Sequence, residues 1–325
     1  ISSYKAVVIG LGRIGSSYPS NKNPRTHVEV YLKNKRINLV GVVDSDNEAR
    51  KKFKRKWGKS VPVFSSVKNM LSKMQPDIVS ICVPTNSLIN VVKQFSKKPP
   101  KLFFLEKPVL ENYINSKSLI RIINKIPTAV NYHRCWDPSH NLFFDKIKKL
   151  NSIVSIRVIY NGGMFNTSSH IISLLIKNFG KISNVRKSYI QKYNLKNTDP
   201  SFSFILYFKC GIQAVFQGFD EIKYDLLELE IITSSGIYSI KSGGCRKRLE
   251  LPKKNAFYPN YNQLIDIPHK IPDGQVEGLS QAIKNIVNFL DGKDKSLFCD
   301  LTISLEASKV MTEVYNKLND FKKNK

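Results

Sequence analysis

Ala6-Val7-Val8-Ile9-Gly10-Leu11-Gly12-Arg13-Ile14-Gly15 decides how this chain is read. Four consecutive apolar residues without polar alternation describe a strand buried on both faces, as in a parallel sheet. The glycines that follow fit G-x-G-x-x-G. Gly10 permits a tight turn, Gly12 lets a pyrophosphate approach the backbone, and Gly15 lets a helix pack closely on the strand. The N–H groups at the start of that helix, and its positive end, then hold phosphates. By itself the motif also fits a purely structural glycine turn, so the rest of the chain has to support it.

It does so at the next strand. Leu39-Val40-Gly41-Val42-Val43 is a second apolar run and ends at Asp44, whose carboxylate can accept hydrogen bonds from both hydroxyls of an adenosine ribose. Asp44 lies 29 residues after Gly15, against the usual spacing of about 20. The polar stretch 16–25, with Pro19, Asn21, Asn23 and Pro24, reads as a loop insertion that accounts for the excess. Gly10, Gly12, Arg13, Ile14, Gly15 and Asp44 are therefore candidate cofactor-binding residues. Asp44 would repel a 2′-phosphate, which favours NAD over NADP, although Arg13 pulls slightly the other way.

Further along, Ile78-Val79-Ser80-Ile81-Cys82-Val83 and Leu102-Phe103-Phe104-Leu105 are a third and a fourth strand. Segments 46–57, 67–74 and 88–95 read as covering helices. This strand–helix alternation predicts a doubly wound parallel α/β sheet over residues 1–125. After Ile126-Pro127 the pattern changes. Runs at 153–160, 201–208, 212–219, 227–233 and 237–240 follow one another with short connections, among them Lys209-Cys210-Gly211 and Ser234-Ser235-Gly236. Residues 126–325 are expected to form an α+β domain with a large, mainly antiparallel open sheet. Two helices, about 276–290 and 301–318, close it, and the last of them is allowed to pack back on the first domain. Alternation in Ser201-Phe202-Ser203-Phe204 and Leu227-Glu228-Leu229-Glu230 predicts one more polar sheet face. The charged tail 322–325 is expected to fray.

Composition sets the outer bounds. The 325 residues are 42% hydrophobic and 24% charged, which excludes a disordered chain. No apolar run approaches the roughly 20 residues that span a bilayer, and a membrane-integral protein is not expected. The start has no secretory-signal pattern, so the cytoplasm is the default compartment. Lys plus Arg number 52 against 25 acids, a formal charge of +27. Such an excess fits steering of an anionic substrate, nucleic-acid binding, or a coding bias toward Lys, Asn and Ile. The cations are scattered rather than gathered in an arm, so no nucleic-acid partner is expected. Five cysteines without a C-x-x-C pair predict neither a metal site nor a disulfide framework.

Glu106-Lys107-Pro108 follows the fourth strand and Val83-Pro84-Thr85 the third. With the glycine motif, Asp44 and Gln75-Pro76-Asp77-Ile78-Val79-Ser80-Ile81, the chain resembles the Gfo/Idh/MocA oxidoreductases, which include glucose–fructose oxidoreductase and inositol dehydrogenase. Asn131-Tyr132-His133-Arg134 with Asp137-Pro138 resembles the entry to that family's second domain. Residues 162–170 resemble the stretch carrying its histidine, and 305–314 its last helix.

The resemblance implies a Rossmann domain followed by an α/β domain, with the active site between them. It adds Pro84, Thr85, Asn86, Glu106, Lys107 and Asn131 to the cofactor-binding candidates. It implies that Lys107 faces the nicotinamide ribose and the substrate, and that Pro108 follows a cis peptide. Tyr132, Arg134, Trp136 and Asn161 would face the substrate cleft. Arg134 fits either a substrate carboxylate or phosphate, or a salt bridge to Asp137.

His170 falls on the family's catalytic histidine. Oxidising an alcohol needs a base for the hydroxyl proton while hydride leaves the same carbon, and an imidazole suits that task. An ionised Lys107 would stabilise developing alkoxide charge. Many members carry Asp four residues before the histidine, and here that position is Asn166, which can orient His170 or bind a substrate hydroxyl but supplies no charge. The expected activity is NAD(H)-dependent hydride transfer on a sugar, nucleotide-sugar or cyclitol by a homodimer or homotetramer, and the resemblance implies a setting in surface-glycan synthesis. The alternative is a dinucleotide-binding sensor or partner-binding subunit without turnover.

Overall fold

The structure is a computed structural model that describes residues 3–19, 23–110, 113, 117–150, 152–187, 199–220, 222–274 and 278–319. The expected tail 322–325 lies outside these, as do residues 20–22 of the loop insertion. The chain forms two compact units. The first is Ile1–Trp136 with Glu277–Leu305, and the second is Asp137–Val276 with Glu306–Lys325.

The first unit opens with β1 (Tyr4–Ile9), a π-helical turn (Arg13–Ser17), α1 (His27–Leu32) and β2 (Ile37–Val43). It continues through α2 (Asn47–Trp57), β3 (Val63–Phe64), α3 (Val67–Leu71), β4 (Ile78–Ile81) and α4 (Thr85–Lys93). β5 (Leu102–Leu105), α5 (Lys117–Ile123), β6 (Thr128–Val130) and α6 (His133–Trp136) complete this run. The six strands pair in the order β3-β2-β1-β4-β5-β6, every pair parallel. This is the doubly wound sheet expected of the apolar runs. Val7, Val8, Val79, Phe103 and Phe104 are fully buried within it, each contributing about 1.5–3 kcal/mol on burial. Thr26 begins α1 by accepting the N–H of Glu29, whose carboxylate in turn accepts the N–H of Arg25. Thr26-His27-Val28-Glu29 is thus a variant of the capping box, its carboxylate reaching the N–H one residue before the cap.

The sheet runs past Ile126-Pro127. Pro127 donates no N–H, but its carbonyl accepts from Phe103, and β6 follows immediately. α9 (Gly278–Leu290) also belongs to this unit. It packs against α6, burying Leu279, Ala282, Ile283, Ile286 and Val287. Asp291 accepts hydrogen bonds from Tyr4 and Arg36, and Val130 N–H donates to the Cys299 carbonyl.

In the second unit α7 (Pro138–Lys148) is capped by Asp137, with Pro138 in the first turn, where its missing N–H costs nothing. β7 (Ile153–Tyr160), a π-helical turn (Met164–Ser168), α8 (Ser169–Phe179), β8 (Ile182–Lys187) and β9 (Phe204–Phe208) follow. Then come β10 (Gln213–Gly218), β11 (Leu227–Thr233), β12 (Gly236–Lys241), β13 (Arg246–Lys254) and β14 (Asn262–Asp266). α10 (Leu301–Asn319) runs from the first unit into the second at residues 305–306. The eight strands pair as β14-β13-β12-β11-β7-β10-β9-β8. β10 runs parallel to β7 and the other pairs are antiparallel. Burial alternates along β9, β10 and β11. On the less buried face Lys241 pairs with Glu228 and Glu230, matching the polar face read from the alternation.

Candidate active site

Parallel pairing brings the carboxyl ends of β2, β1, β4, β5 and β6 to one edge of the first sheet, where ligands of open α/β sheets bind. Gly10 leaves β1 with a φ of +92°, and a Cβ there would lie 2.6 Å from the Cys82 carbonyl oxygen. A Cβ on Gly15 would collide with the Gly10 carbonyl. Gly12 has no other atom within 4 Å of where its Cβ would be. Two glycines are thus required by the fold and the third leaves an open backbone face, which fits a pyrophosphate.

The helix expected after these glycines is a five-residue π-turn that includes Arg13, Ile14 and Gly15. The i→i+5 pattern of such a turn brings the Ser17 N–H to the Gly12 carbonyl. α1 begins only at His27, so the insertion separates turn from helix. Lys56 donates to the carbonyls of Ser16 and Tyr18, and Trp57 donates to Ser16, tying the start of the insertion to the end of α2. Arg13 donates to the Tyr18 hydroxyl and lies 4.7 Å from its ring centroid.

Asp44 does more than the sequence indicated. Its Oδ2 accepts the Leu11 N–H at 2.7 Å, and its Oδ1 accepts the Asp46 N–H at 2.9 Å. One carboxylate therefore braces the glycine turn. It has about four lone-pair sites, which leaves room for ribose hydroxyls. At the end of β4, Pro84 caps α4, and Thr85, followed by Asn86, donates its hydroxyl to the Pro108 carbonyl. Lys107–Pro108 is cis, as the resemblance implied.

Glu106, Lys107 and Asn131 lie along the same edge. Glu106 Oε1 accepts from Asn131 Nδ2 at 2.7 Å and sits 2.8 Å from His27 Nε2. Glu106 Oε2 accepts the Lys107 N–H at 3.3 Å. Asn131 Oδ1 is buried without a hydrogen-bond partner among the described residues, leaving an acceptor for a ligand amide. The glycine cradle, Asp44 and this amide fit a dinucleotide.

Three of the residues assigned to the cleft are built into the fold. Tyr132 is fully buried, and burial pushes its phenol pKa upward. Trp136 is 1% exposed, donates to the Val130 carbonyl and stacks on Phe298. Asn161 receives the Leu226 N–H and donates to the Tyr224 carbonyl, so both ends of its amide hold the loop beside β7. Arg134 is buried in α6. The Asp137 carboxylate is engaged by Ser139 and lies 3.6 Å from His140. Burial opposes its ionisation, but the hydrogen bonds from His140 and Ser139 outweigh that and bring its pKa down to about 2.

His170 is the second residue of α8 and is buried at 6% exposure. Its approach is made by two left-handed glycines, Gly162 and Gly163, leading into the π-turn. Asn166 lies in that turn, so Asn166 and His170 are not an ordinary i, i+4 pair of one α-helix. Asn166 Nδ2 donates to the Gly162 carbonyl at 3.2 Å. Asp199 was not legible as a site residue, yet its carboxylate accepts the N–H groups of Phe165 at 2.9 Å and Asn166 at 2.8 Å. A negative charge thus stands at the start of the segment leading to His170, supplied from a distant part of the chain. Among the described residues no group of three or more His, Cys, Asp or Glu could hold a metal ion, and no helix is long and apolar enough to cross a membrane.

Residues 4–132 match the family described as "Oxidoreductase family, NAD-binding Rossmann fold", Gfo/Idh/MocA. No curated protein matches the chain. Among solved structures, the WlbA dehydrogenase from Bordetella pertussis, in complex with NADH and UDP-GlcNAcA, is similar at 15% identity and a TM-score of 0.75, covering 98% of this chain and 97% of that one. UDP-N-acetylglucosamine 3-dehydrogenase GnnA from Acidithiobacillus ferrooxidans is similar at 14% identity and a TM-score of 0.72, covering 97% of each chain. A super-repressor mutant of Gal80p from Saccharomyces cerevisiae has the same fold at 15% identity and a TM-score of 0.75, covering 97% and 96%.

Proposed function

We propose that the chain is a member of the Gfo/Idh/MocA oxidoreductases, whose family pattern residues 4–132 match, and that it is an NAD(H)-dependent dehydrogenase of a sugar, nucleotide-sugar or cyclitol. The observation that carries this reading is the edge of the first sheet. An open glycine turn braced by Asp44 stands there with Glu106 and Lys107 at the end of β5. NAD⁺, when bound, supplies the acceptor for a hydride leaving a ring carbinol carbon. His170 takes the hydroxyl proton on its imidazole as the carbonyl forms, and returns it in the reverse direction. Lys107, as an ammonium, stabilises the negative charge developing on that oxygen. Asn166 orients His170. The charge of Asp44 supports NAD over NADP, and the +27 balance suits an anionic nucleotide-sugar. A cytoplasmic homodimer or homotetramer goes with this reading.

A second reading, a dinucleotide-holding partner subunit without turnover, is favoured by Asn166 and by the likeness to Gal80p. The two separate in one experiment. The protein is incubated with NAD⁺ and a panel of sugars, nucleotide-sugars and cyclitols while NADH absorbance is followed. A substrate is expected, and His170→Ala should lower turnover on it at least roughly 100-fold, as positioned acid–base groups contribute. No turnover on any member, with NADH binding intact, would favour the second reading. A loss well under tenfold would remove His170 as the base.

A further inference from the structure

We propose that His27 is a positioning residue that acts through Glu106 on the backbone carrying Lys107, as the last donor of a buried relay starting at Tyr31. The Tyr31 hydroxyl lies 2.6 Å from Ser80 Oγ, and Ser80 Oγ lies 2.8 Å from His27 Nδ1. His27 Nε2 lies 2.8 Å from Glu106 Oε1, and Glu106 Oε2 accepts the Lys107 N–H. Tyr31, Ser80 and His27 have no solvent exposure. The chain of contacts joins α1, β4 and the end of β5, and Asn131 adds the end of β6 through the same Glu106 oxygen.

Proton counting fixes the direction of the relay. An ionised Glu106 only accepts, so His27 Nε2 carries a hydrogen. If Nδ1 carried one as well, it would donate to Ser80, and the hydrogen of either Ser80 or Tyr31 would then lack an acceptor among the described residues. With Nδ1 as acceptor every hydrogen is placed. Tyr31 donates to Ser80, Ser80 to His27, and His27 to Glu106. Burial pushes the Tyr31 phenol pKa well above its ordinary value, so its hydrogen stays in place. Because the far end is a fully buried phenol, the relay has no outlet to water there. It fixes the Glu106 carboxylate rather than conducting protons. Complete buried networks of this kind rigidify their surroundings.

The role given to Lys107 rests on the proposed dehydrogenase reading, whereas the relay itself does not. The test uses the full chain with ¹⁵N-labelled histidine. The His27 signal, assigned by its loss in His27→Gln, should show an Nε2–H, Nδ1-acceptor imidazole, and Tyr31→Phe should shift its Nδ1 resonance. NADH titration by fluorescence should give at least a tenfold weaker Kd for His27→Leu, which keeps volume alone. His27→Gln, which keeps a donor to Glu106, should return to within threefold of the parent. An Nδ1–H imidazole, an Nδ1 resonance unmoved by Tyr31→Phe, or equal Kd values for the Leu and Gln variants would overturn the relay. If His27→Leu does not fold, the Tyr31→Phe spectrum decides alone. None of these readouts needs a substrate, so a chain without turnover on any sugar would sink the dehydrogenase reading and leave the relay standing.

Discussion

Replacing Asp44 with alanine separates two roles of one carboxylate. If Asp44 only read the adenosine ribose, the alanine variant would lose NADH contacts and gain NADPH affinity, because repulsion of the 2′-phosphate would vanish. The structure adds a second duty, since Oδ2 holds the Leu11 N–H at 2.7 Å in the middle of the glycine turn. A hydrogen bond to a charged group contributes about 1.5–3 kcal/mol, and the lower figure suits this part-buried site. Its loss loosens the turn for either cofactor. At 1.4 kcal/mol per tenfold, both dissociation constants rise about tenfold from this cause alone. NADH also loses its ribose bonds and should weaken by well over tenfold. NADPH gains relief from repulsion and should end within about threefold of the parent value. Fluorescence titration with both cofactors, beside a thermal melt, measures all of this. An NADPH constant more than tenfold tighter than the parent's would refute the bracing role of Asp44.

Two further outcomes follow from carboxylates in the second unit. The Asp137 carboxyl has its pKa depressed to about 2 from 3.8, so its stabilisation is complete above pH 3.8 and fades as pH falls toward 2. Asp137→Asn should destabilise by about 2 kcal/mol at neutral pH, a gap that closes between about pH 4 and 2; urea unfolding that shows a constant gap across this window would contradict the assignment. Asp199→Asn, which leaves a neutral amide facing the N–H groups of Phe165 and Asn166, should cost about 1–3 kcal/mol in the same assay. Gly163→Ala should cost more, because its φ is +92° and a Cβ would overlap the Asp199 carboxylate. Unchanged unfolding midpoints in both variants would remove Asp199 as the anchor of the turn before His170.

Strands covered on both faces write themselves into the sequence, and β1, β2, β4 and β5 were legible for that reason. β6 was hidden because Pro127 reads as a boundary, whereas only its N–H is missing and its carbonyl still pairs with Phe103. β13 and β14 escaped because Arg246–Lys254 is rich in charge and Asn262–Asp266 is mostly polar and exposed, so neither carries an apolar run, and both are paired through ladder hydrogen bonds. At the site, the glycines and Asp44 could be found because each carries a geometric or electrostatic requirement that a motif records. Tyr132 and Trp136 are buried, and an aromatic that lines a cleft and one that fills a core look alike in one dimension. The link of His27 to this edge is invisible in one dimension. Its partners Ser80 and Glu106 are 53 and 79 residues away, a distance only the folded sheet removes. Asp199 likewise reaches back 33 residues to Asn166.

Residues 277–305 return to finish the unit that the first 136 residues begin. Asp291 receives Tyr4 and Arg36, Cys299 receives Val130, and Phe298 lies against Trp136. On a ribosome, the nucleotide-holding half therefore waits with an open flank until its closing segment has been synthesised and released. The second unit is divided as well, with residues 137–276 made before that closing segment and residues 306–325 after it, so it too is completed only at the end of synthesis. Cutting the gene at the apparent seam near residue 136 would yield a fragment missing one wall, so a minimal cofactor-binding piece has to be stitched from both stretches.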